Sequence, residues 1–183
     1  MKKFIILLIS LTSFIIFPIQ AKESKNRIEH GPFNLSWCHN GQFYFERTTD
    51  LDYPINFVLV CGNNKRIIDR YYVEGADLIY SSKNEKQINM EVISTFFHKI
   101  NEEKFLFVMI KRHGTHTGGG INTDDYTIYP YKYNRKHIIA SARDFADNNF
   151  WGVEGQLEWK EVHFEYKTAD EVKKYLDKTY NNK

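Results

Sequence analysis

The stretch KFLFVMIKRHGTHTGGGINTDDYTIYPYKYN, residues 104–134, decides how the rest of the chain is interpreted. It begins with an apolar run at 105–110, passes through His, Thr and Gly residues at 111–120, and returns as alternating aromatic residues at 126–133. Continuous apolar runs of strand length and residues that alternate with a period of two both predict β-strands. The stretch therefore predicts a β-hairpin with a Gly-rich connection at 111–120, and Pro130, which lacks a backbone donor, predicts an edge strand or a bulge.

The remaining patterns predict more strands and one well-marked helix. Strand patterns occupy six further segments: 33–47 as a hairpin, 56–61, 65–73, 78–80, 88–100 (where a helix is the alternative) and 157–166. Thr168 and Glu171 form a capping-box pattern ahead of apolar residues at helical spacing, which predicts an amphipathic helix of about three turns. Asp147 is expected in a turn or at a helix cap. We therefore expect an α+β fold, mainly an antiparallel β-sheet in a meander or sandwich-like arrangement, with a C-terminal amphipathic helix.

The N-terminal residues have the composition of a secretory signal peptide. Two lysines precede an apolar run at 4–17, and Ala21 stands where cleavage is expected. The apolar run is shorter than the roughly 20 residues that a spanning helix needs, so we expect no membrane span after cleavage. We therefore divide the chain into a signal peptide at 1–21 and a single mature β-rich domain at 22–183, which is periplasmic or secreted.

Cysteine content and charge restrict the function classes. Cys38 and Cys61 are the two cysteines of the chain, and an even pair in an exported protein predicts a disulfide. The chain has 25 basic and 23 acidic residues, and Lys2 and Lys3 lie in the predicted signal peptide, so the mature chain has balanced charge. Nucleic-acid binding depends on clustered Lys and Arg, and we therefore expect no nucleic-acid partner.

One short motif raises a catalytic alternative. The apolar strand at 105–110 leads to Arg112, His113 and Gly114, and this ending resembles the signature of the histidine phosphatase superfamily. The resemblance implies that His113 would be phosphorylated and that Arg112 would bind the transferred phosphoryl group. That family carries the motif on the first strand of an α/β fold, whereas here it lies past the midpoint of the chain, without the further Arg of the longer motif. A small hydrolase using Arg112 and His113 is the alternative function.

The same segment offers a metal-binding alternative. His113 and His116 present two imidazoles three residues apart. A zinc site needs three or four ligands, and no spacing in the sequence brings another His or acidic residue to these two. We therefore expect no metal and no cofactor, with His113 and His116 as the alternative metal ligands.

Aromatic residues favour a contact surface. Tyr129, Tyr131 and Tyr133 alternate along the returning strand, and Trp151 is a further candidate, because Tyr and Trp side chains give large contact areas with a polar tip. Ordinary sheet packing is the competing explanation for these rings. The predicted binding residues come from the hairpin connection and the returning strand: His113, Thr115, His116, Tyr129, Tyr131 and Tyr133.

The leading functional hypothesis is an exported bacterial-type binding protein without catalytic activity. By analogy of class, inhibitors and immunity proteins that act against toxins or hydrolases of the cell envelope share this size, an export signal and a single disulfide. We expect a protein partner to contact the segment at 111–120. A small-ligand or sugar-binding protein is a second alternative, for which a deep apolar pocket would be the deciding feature.

Overall fold

A computed structural model of the chain describes residues 27–72, 78–80, 86–116, 119–133, 139–142, 145 and 147–181, with the side chains at 78–80, 86–88 and 116 left out of the description. The predicted signal peptide at 1–21 lies outside these residues. Antiparallel strands dominate the described part, in two main sheets, with one short α-helix near the C-terminus. The expected α+β fold, mainly antiparallel and sandwich-like, is confirmed.

The smaller sheet is a four-stranded antiparallel meander in which strand order follows chain order. Its strands are β1 (Arg27–Leu35), β2 (Gly41–Arg47), β3 (Ile55–Cys61) and β4 (Asn64–Tyr71). The predicted hairpin at 33–47 and the predicted buried strand at 56–61 fall on β1, β2 and β3 and are confirmed. Aromatic residues at alternate positions, such as Phe43, Phe45 and Phe57, fill the inner face of the sheet and explain the strand pattern.

The predicted disulfide ties the first turn to the end of a central strand. Cys38 lies in the turn between β1 and β2 and is bonded to Cys61, the last residue of β3, with Cα atoms 5.7 Å apart. The residue at 41 is glycine because a Cβ atom there would lie 2.2 Å from the sulfur of Cys38. The cross-link therefore fixes the turn onto the sheet.

Removal of the disulfide is expected to destabilise the fold without changing its strands. A cross-link between residues 23 apart in sequence stabilises by about 3 kcal/mol in the chain-entropy model. We expect the double variant Cys38→Ser, Cys61→Ser to unfold at a lower urea concentration than the wild type and to keep the same far-ultraviolet circular dichroism. Equal urea midpoints for the two proteins would contradict this prediction.

The larger sheet has six strands and follows a short separate hairpin. The hairpin consists of β5 (Leu78–Tyr80) and β6 (Lys86–Ile88). The six strands are β7 (Met90–Ile100), β8 (Glu103–His116), β9 (Ile121–Tyr133), β10 (Ile139–Ser141), β11 (Trp151–Leu157) and β12 (Lys160–Val162). Their order across the sheet is β12, β11, β9, β8, β7, with β10 beside β9. Most of 88–100 lies in β7, so the preference for a strand over a helix is confirmed there.

The predicted connection at 111–120 is mostly strand. β8 continues to His116, β9 begins at Ile121, and the two strands pair without a break up to these two residues. Ladder hydrogen bonds join backbone groups and need no apolar side chains, so the polar residues of this segment hid the strand from a hydrophobicity pattern. The expectation of a loop is therefore wrong for residues 111–116.

The predicted last strand at 157–166 is broken by a turn. β11 ends at Leu157, and the chain turns through Glu158 and Trp159 into β12. These two turn residues have φ values of 49° and 66°, as in the tight two-residue turns that suit β-hairpins. Residues other than glycine and asparagine seldom adopt positive φ, so the sequence gives no signal for a turn at this point.

Pro130 lies inside the larger sheet, so the expected edge strand or bulge is wrong. On one side it pairs with Phe107 of β8. On the other side, the pairing of β9 with β11 ends at Thr127, and the pairing of β9 with β10 starts at Tyr131. Between these two pairings, the carbonyl of Pro130 accepts a hydrogen bond from the N–H of Ala142. The nitrogen and the carbonyl of one residue point to the same side of a strand, so the missing donor falls in the gap between β10 and β11.

Two hydrophobic clusters, one on each face of the larger sheet, hold the layers together. The first lies between the two sheets and includes Phe45, Phe57 and Leu106. The second lies on the other face and includes Phe107 and Val172. Adjacent residues of a strand point to opposite faces, so β8 supplies Leu106 to one cluster and Phe107 to the other.

The predicted C-terminal helix is confirmed as α1 (Ala169–Leu176). Thr168 is its N-cap: the Thr168 hydroxyl accepts a hydrogen bond from the N–H of Glu171, and the Glu171 carboxylate accepts one from the N–H of Thr168. A π-helical segment, Asp177–Asn181, continues it to a total of about three turns. In the part of the chain that the structure describes, no helix is long and apolar enough to cross a membrane.

Candidate functional site

A cleft opens where the larger sheet extends beyond the smaller one. On β8, Ile110 is buried against the small sheet, but the next residue on the same face, Arg112, is only half-buried. On β9, Tyr131 is fully buried, whereas Asp125 and Thr127 on the same face are half-buried. The uncovered part of the larger sheet forms the floor of a cavity of about 880 Å³.

Charged and aromatic side chains line this cleft. The charged residues are Asp69, Arg70, Arg112, Asp125 and Asp147. The aromatic residues are Tyr71, Tyr72, Tyr129, Phe145, Phe150 and Trp151. Two of these rings are open to solvent, since Tyr72 is 51% exposed and Trp151 is 58% exposed. The cleft therefore combines accessible aromatic surface with hydrogen-bonding groups.

Strands β8, β9 and β11 position the floor of the cleft. In the register of the sheet, Arg112 lies opposite Asp125, and Thr127 lies opposite Trp151. Strand side chains alternate between faces, so these four residues share the face that is turned toward the small sheet. Directly opposed residues have Cβ atoms about 4.5–5.5 Å apart. The floor is therefore a continuous patch, with two opposite charges at one end and the Trp151 ring at the other.

A buried chain of three polar groups closes the base of the cleft. The Tyr131 hydroxyl donates to Asp69 Oδ2 at 2.9 Å and also lies 2.9 Å from the Tyr71 hydroxyl. A hydroxyl carries one proton, so Tyr71 is the donor to Tyr131. Burial raises the pKa of both tyrosines, so they remain protonated and act as hydrogen-bond donors rather than as general bases. The chain joins β4 to β9 and fixes the two walls of the cleft.

Asp147 attaches the rim of the cleft to the C-terminal helical segment. Its Oδ2 atom accepts hydrogen bonds from the hydroxyls of Tyr175 and Tyr180, both at 2.6 Å, and its Oδ1 atom accepts one from the N–H of Asn149 at 2.8 Å. Asp147 also caps the 3₁₀ turn Asn148–Phe150, which confirms its expected place at a cap. Burial by itself would raise the pKa of Asp147, but these hydrogen bonds outweigh burial and lower it.

Acidification is expected to weaken this attachment. The pKa of Asp147 in the folded protein is below its ordinary value of 3.8, so the stabilisation is present above pH 3.8 and is lost as the pH falls through the folded pKa. We expect Asp147→Asn to lower the urea midpoint at neutral pH and to make that midpoint less sensitive to acid down to about pH 3. Asp170→Asn, at an exposed position of α1, should keep the wild-type acid dependence. An unchanged acid dependence in Asp147→Asn would contradict the prediction.

The two residues of the phosphatase-like motif lie on opposite faces of the sheet. Arg112 lines the cleft, and His113, the next residue of β8, points to the other side. There His113 Nδ1 lies 2.8 Å from Asp124 Oδ1, and Lys111 Nζ lies 3.9 Å from Asp124 Oδ2. A phosphoryl group held by Arg112 would therefore be separated from the His113 imidazole by the sheet itself.

Metal ligands do not converge in the described residues. Among them, no group of three or more His, Cys, Asp or Glu side chains could hold a metal ion. His113 contacts the carboxylate of Asp124, and the backbone of His116 pairs with Ile121. The structure thus adds no third ligand, within its described residues, to the alternative pair His113 and His116.

The predicted binding tyrosines point toward the small sheet. Tyr131 is fully buried, with its ring centroid 5.1 Å from that of Phe57, so it offers no surface to a partner. Tyr133 packs against the core between the sheets, and Tyr129 lines the cleft. Thr115 is exposed on the face of β8 that carries His113. Of the predicted residues on β9, Tyr129 alone combines a place in the cleft with partial exposure.

Trp159 is a second exposed tryptophan. It contacts Gly120 at one end of the larger sheet, and we call this pair of residues the apex. The N–H of Trp159 donates to the carbonyl of Gly120 at 3.3 Å, and a Cβ atom at Gly120 would lie 2.4 Å from the Trp159 ring. Gly120, which directly precedes β9, and the turn after β11 are therefore packed together. The Trp159 side chain stays 70% exposed. Gly120 belongs to the predicted Gly-rich connection, whereas the sequence pattern does not single out Trp159.

The cleft brings together residues that are far apart in the chain. Asp69, Tyr71 and Tyr72 come from β4 and its end, and sequence reasoning missed all three because only the packing of the two sheets brings them to β9. The strand period is the one local signal that places Asp69 and Tyr71 on a common face. Comparisons with protein-family models, with curated proteins and with solved structures found no match to this chain. The candidate site is therefore defined by the geometry of the chain itself.

Proposed function

We propose that this chain is an exported, non-catalytic binding protein that holds a ligand in the cleft between its two sheets. The observation that carries the proposal is the uncovered floor, where the Trp151 side chain is 58% exposed near the charged groups of Arg112 and Asp125. Ligand sites are concave, with apolar and aromatic walls and a few orienting polar groups, and have volumes of about 300–1,000 Å³. The cleft, at about 880 Å³, has this size and composition.

The exposed rings of the cleft favour the bound state. Burial of a large apolar side chain stabilises a protein by roughly 1.5–3 kcal/mol relative to leaving that side chain exposed. Tyr72, at the end of β4, and Trp151, at the start of β11, are both more than half exposed in the free protein. A ligand that covers both rings would recover part of this free energy.

The cleft is also preformed. The hydrogen-bonded chain from Tyr71 through Tyr131 to Asp69 joins the two sheets, and Asp147 is held by two tyrosine hydroxyls from the helical segment. A site whose groups are already ordered loses less conformational entropy on binding. These contacts support a binding role, because they fix the walls before a ligand arrives.

The hydrolase alternative has less support. Arg112 and His113 lie on opposite faces of the sheet, and the buried tyrosines of the cleft are held protonated. A histidine nucleophile must lie within reach of the phosphoryl group that the arginine holds, and these two residues do not converge on one face. The Arg112 and His113 hydrolase therefore has less support than ligand binding.

Export is supported by two features of the chain. The disulfide between Cys38 and Cys61 is formed, and disulfides persist in oxidising compartments such as the periplasm or the cell exterior. The pattern of residues 1–21 is that of a signal peptide. We therefore propose that the protein acts in the periplasm or after secretion.

A cleft-filling variant tests the proposal. Thr127 is half-buried on the floor, so Thr127→Trp would place an indole in the cleft, whereas Thr115→Trp makes the same change at an exposed position on the opposite face. The wild type and both variants are incubated with the low-molecular-mass fraction of an envelope extract, and native mass spectrometry identifies retained compounds. We expect the wild type and Thr115→Trp to retain the same compound and Thr127→Trp to retain none. Equal retention by all three proteins, or by none, would contradict the proposal.

A protein partner is the second candidate function, and the exposed Trp159 favours it. Tryptophan is enriched among the residues that dominate binding energy at protein interfaces. Trp159 is 70% exposed and is held in place by its packing on Gly120. In this second proposal an inhibitor or immunity protein contacts an envelope toxin or hydrolase through the apex rather than through residues 111–116.

A pair of tryptophan variants separates this second candidate from the first. The wild type, Trp159→Ala and Trp151→Ala are used as baits for envelope proteins, with both variants checked for wild-type circular dichroism. We expect a partner of the apex to be captured by the wild type and by Trp151→Ala but not by Trp159→Ala. Capture that survives Trp159→Ala would rule out the apex as the contact surface.

A further inference from the structure

We infer that the ligand of the cleft is a neutral saccharide, an inference that rests on the proposed binding function and adds the chemical class of the ligand. Three properties of the lining carry it. Aromatic rings are exposed on both walls, the charged groups of the lining each have a partner within the protein, and hydroxyl groups line the cleft together with an Arg and Asp pair.

The aromatic rings come from both sheets. Tyr72 follows β4 of the small sheet and is 51% exposed, and Trp151 begins β11 of the larger sheet and is 58% exposed. The face of an aromatic ring is electrostatically negative, and it attracts the weakly positive C–H groups on the flat face of a sugar ring. A ligand with apolar faces and polar edges therefore matches rings that stand on either side of polar groups.

The two arginines of the cleft each have an acidic neighbour. Arg70 Nη2 lies 2.6 Å from Asp50 Oδ2, at the surface. Arg112 lies opposite Asp125 in the register of β8 and β9, and opposite charges across a strand pair attract each other. An anion would therefore have to compete with a carboxylate for either guanidinium.

The two remaining carboxylates of the lining are engaged by tyrosine hydroxyls. Asp69 accepts from Tyr131 at 2.9 Å, and Asp147 accepts from Tyr175 and Tyr180 at 2.6 Å. Hydrogen bonds to the charged form stabilise a carboxylate without a cation. The described lining residues comprise three aspartates and two arginines, and each has a partner within the protein, so none of them needs an ionic ligand as a counter-ion.

The other polar groups suit a ligand rich in hydroxyls. Thr127 and Ser141 line the cleft, and a hydroxyl side chain both donates and accepts hydrogen bonds. The Arg112 guanidinium has five N–H donors in one plane, and the Asp125 carboxylate accepts through two oxygens. Sugar hydroxyls also act as donor and acceptor at once, so they can add hydrogen bonds to these groups on the same surface.

The inference is tested by titration calorimetry with named probes. The neutral probes are maltotriose, cellotriose and N,N′,N″-triacetylchitotriose, and the charged probes are glucose 6-phosphate and glucosamine. We expect at least one neutral trisaccharide to bind the wild type, and to bind Trp151→Ala and Tyr72→Ala about tenfold more weakly because each variant loses one stacking ring. Trp159→Ala removes an equally large exposed ring outside the cleft and should bind like the wild type.

The outcomes separate this inference from the function on which it rests. Failure of all three trisaccharides to bind, stronger binding of a charged probe, or an affinity that Trp151→Ala leaves unchanged would overturn the saccharide inference. In each of these cases, a different compound retained by the wild type and lost in Thr127→Trp would still support a ligand-binding cleft. Equal retention by wild type and Thr127→Trp would instead remove the proposed function itself.

Discussion

Replacement of Phe107 by alanine is expected to lower the free energy of unfolding by about 3–5 kcal/mol. Phe107 is fully buried in β8, with its ring centroid 5.3 Å from that of Phe96 and 5.9 Å from that of Phe150. Truncation would leave a cavity that the paired strands cannot close, and urea denaturation followed by circular dichroism would measure the loss. Leu51→Ala, at a 49% exposed position, should change the same quantity by less than about 0.5 kcal/mol. Equal losses of unfolding free energy in the two variants would contradict the second hydrophobic cluster, in which Phe107 and Val172 lie on the same face of the larger sheet.

Replacement of Phe57 by alanine is expected to cost a similar amount, about 3–5 kcal/mol, in the core between the sheets. Phe57 is fully buried, with its ring centroid 4.8 Å from that of Phe45 and 5.1 Å from that of Tyr131. Because the Tyr131 hydroxyl closes the base of the cleft, we expect this variant also to bind the ligand more weakly. Ile67→Ala, at a 48% exposed position of the same sheet, is the matched control.

The result that would contradict the second prediction is equally specific. A urea midpoint for Phe57→Ala close to that of Ile67→Ala would mean that the two sheets do not pack through this ring. A large loss of stability with wild-type ligand binding would mean that the base of the cleft does not depend on the inter-sheet core. The first result would contradict the packing of the two sheets, and the second would contradict the link between that packing and ligand binding.

Local patterns were sufficient to predict most individual strands. The alternation of residues in 126–133 and the apolar run at 105–110 fall on β9 and β8, and the capping box at Thr168 and Glu171 starts α1. These signals are local, because the periods of strands and helices are set by backbone geometry. A strand period could therefore be recognised wherever one face of the strand is buried.

The same local patterns failed where backbone pairing, rather than side-chain burial, defines the strand. Residues 111–116 are polar, yet they continue β8, because β9 supplies hydrogen-bond partners along their whole length. Once that segment is a strand, the alternation of faces separates Arg112 from His113. Two residues adjacent in sequence looked like one site, and the pleat of the sheet placed them on opposite faces.

The cleft could not be predicted from local sequence. It depends on how far the larger sheet extends beyond the smaller one, and on the gap between β10 and β11 where Pro130 has no donor. Both features result from pairings between residues distant in the chain. Asp69 is therefore a cleft residue whose sequence context indicates only a strand, and Trp151 could be named from the sequence as a candidate contact residue but not as part of a cleft.

The most direct test of the ligand-binding cleft uses the three tryptophans of the chain as position markers. Trp151 lies in the cleft, Trp159 at the apex, and Trp37 against the core between the sheets. In a ¹H–¹⁵N spectrum, we expect the low-molecular-mass fraction of an envelope extract to shift the indole N–H signal of Trp151 and to leave that of Trp159 in place. An unchanged Trp151 signal, with or without a shift at Trp159, would contradict a ligand-binding cleft.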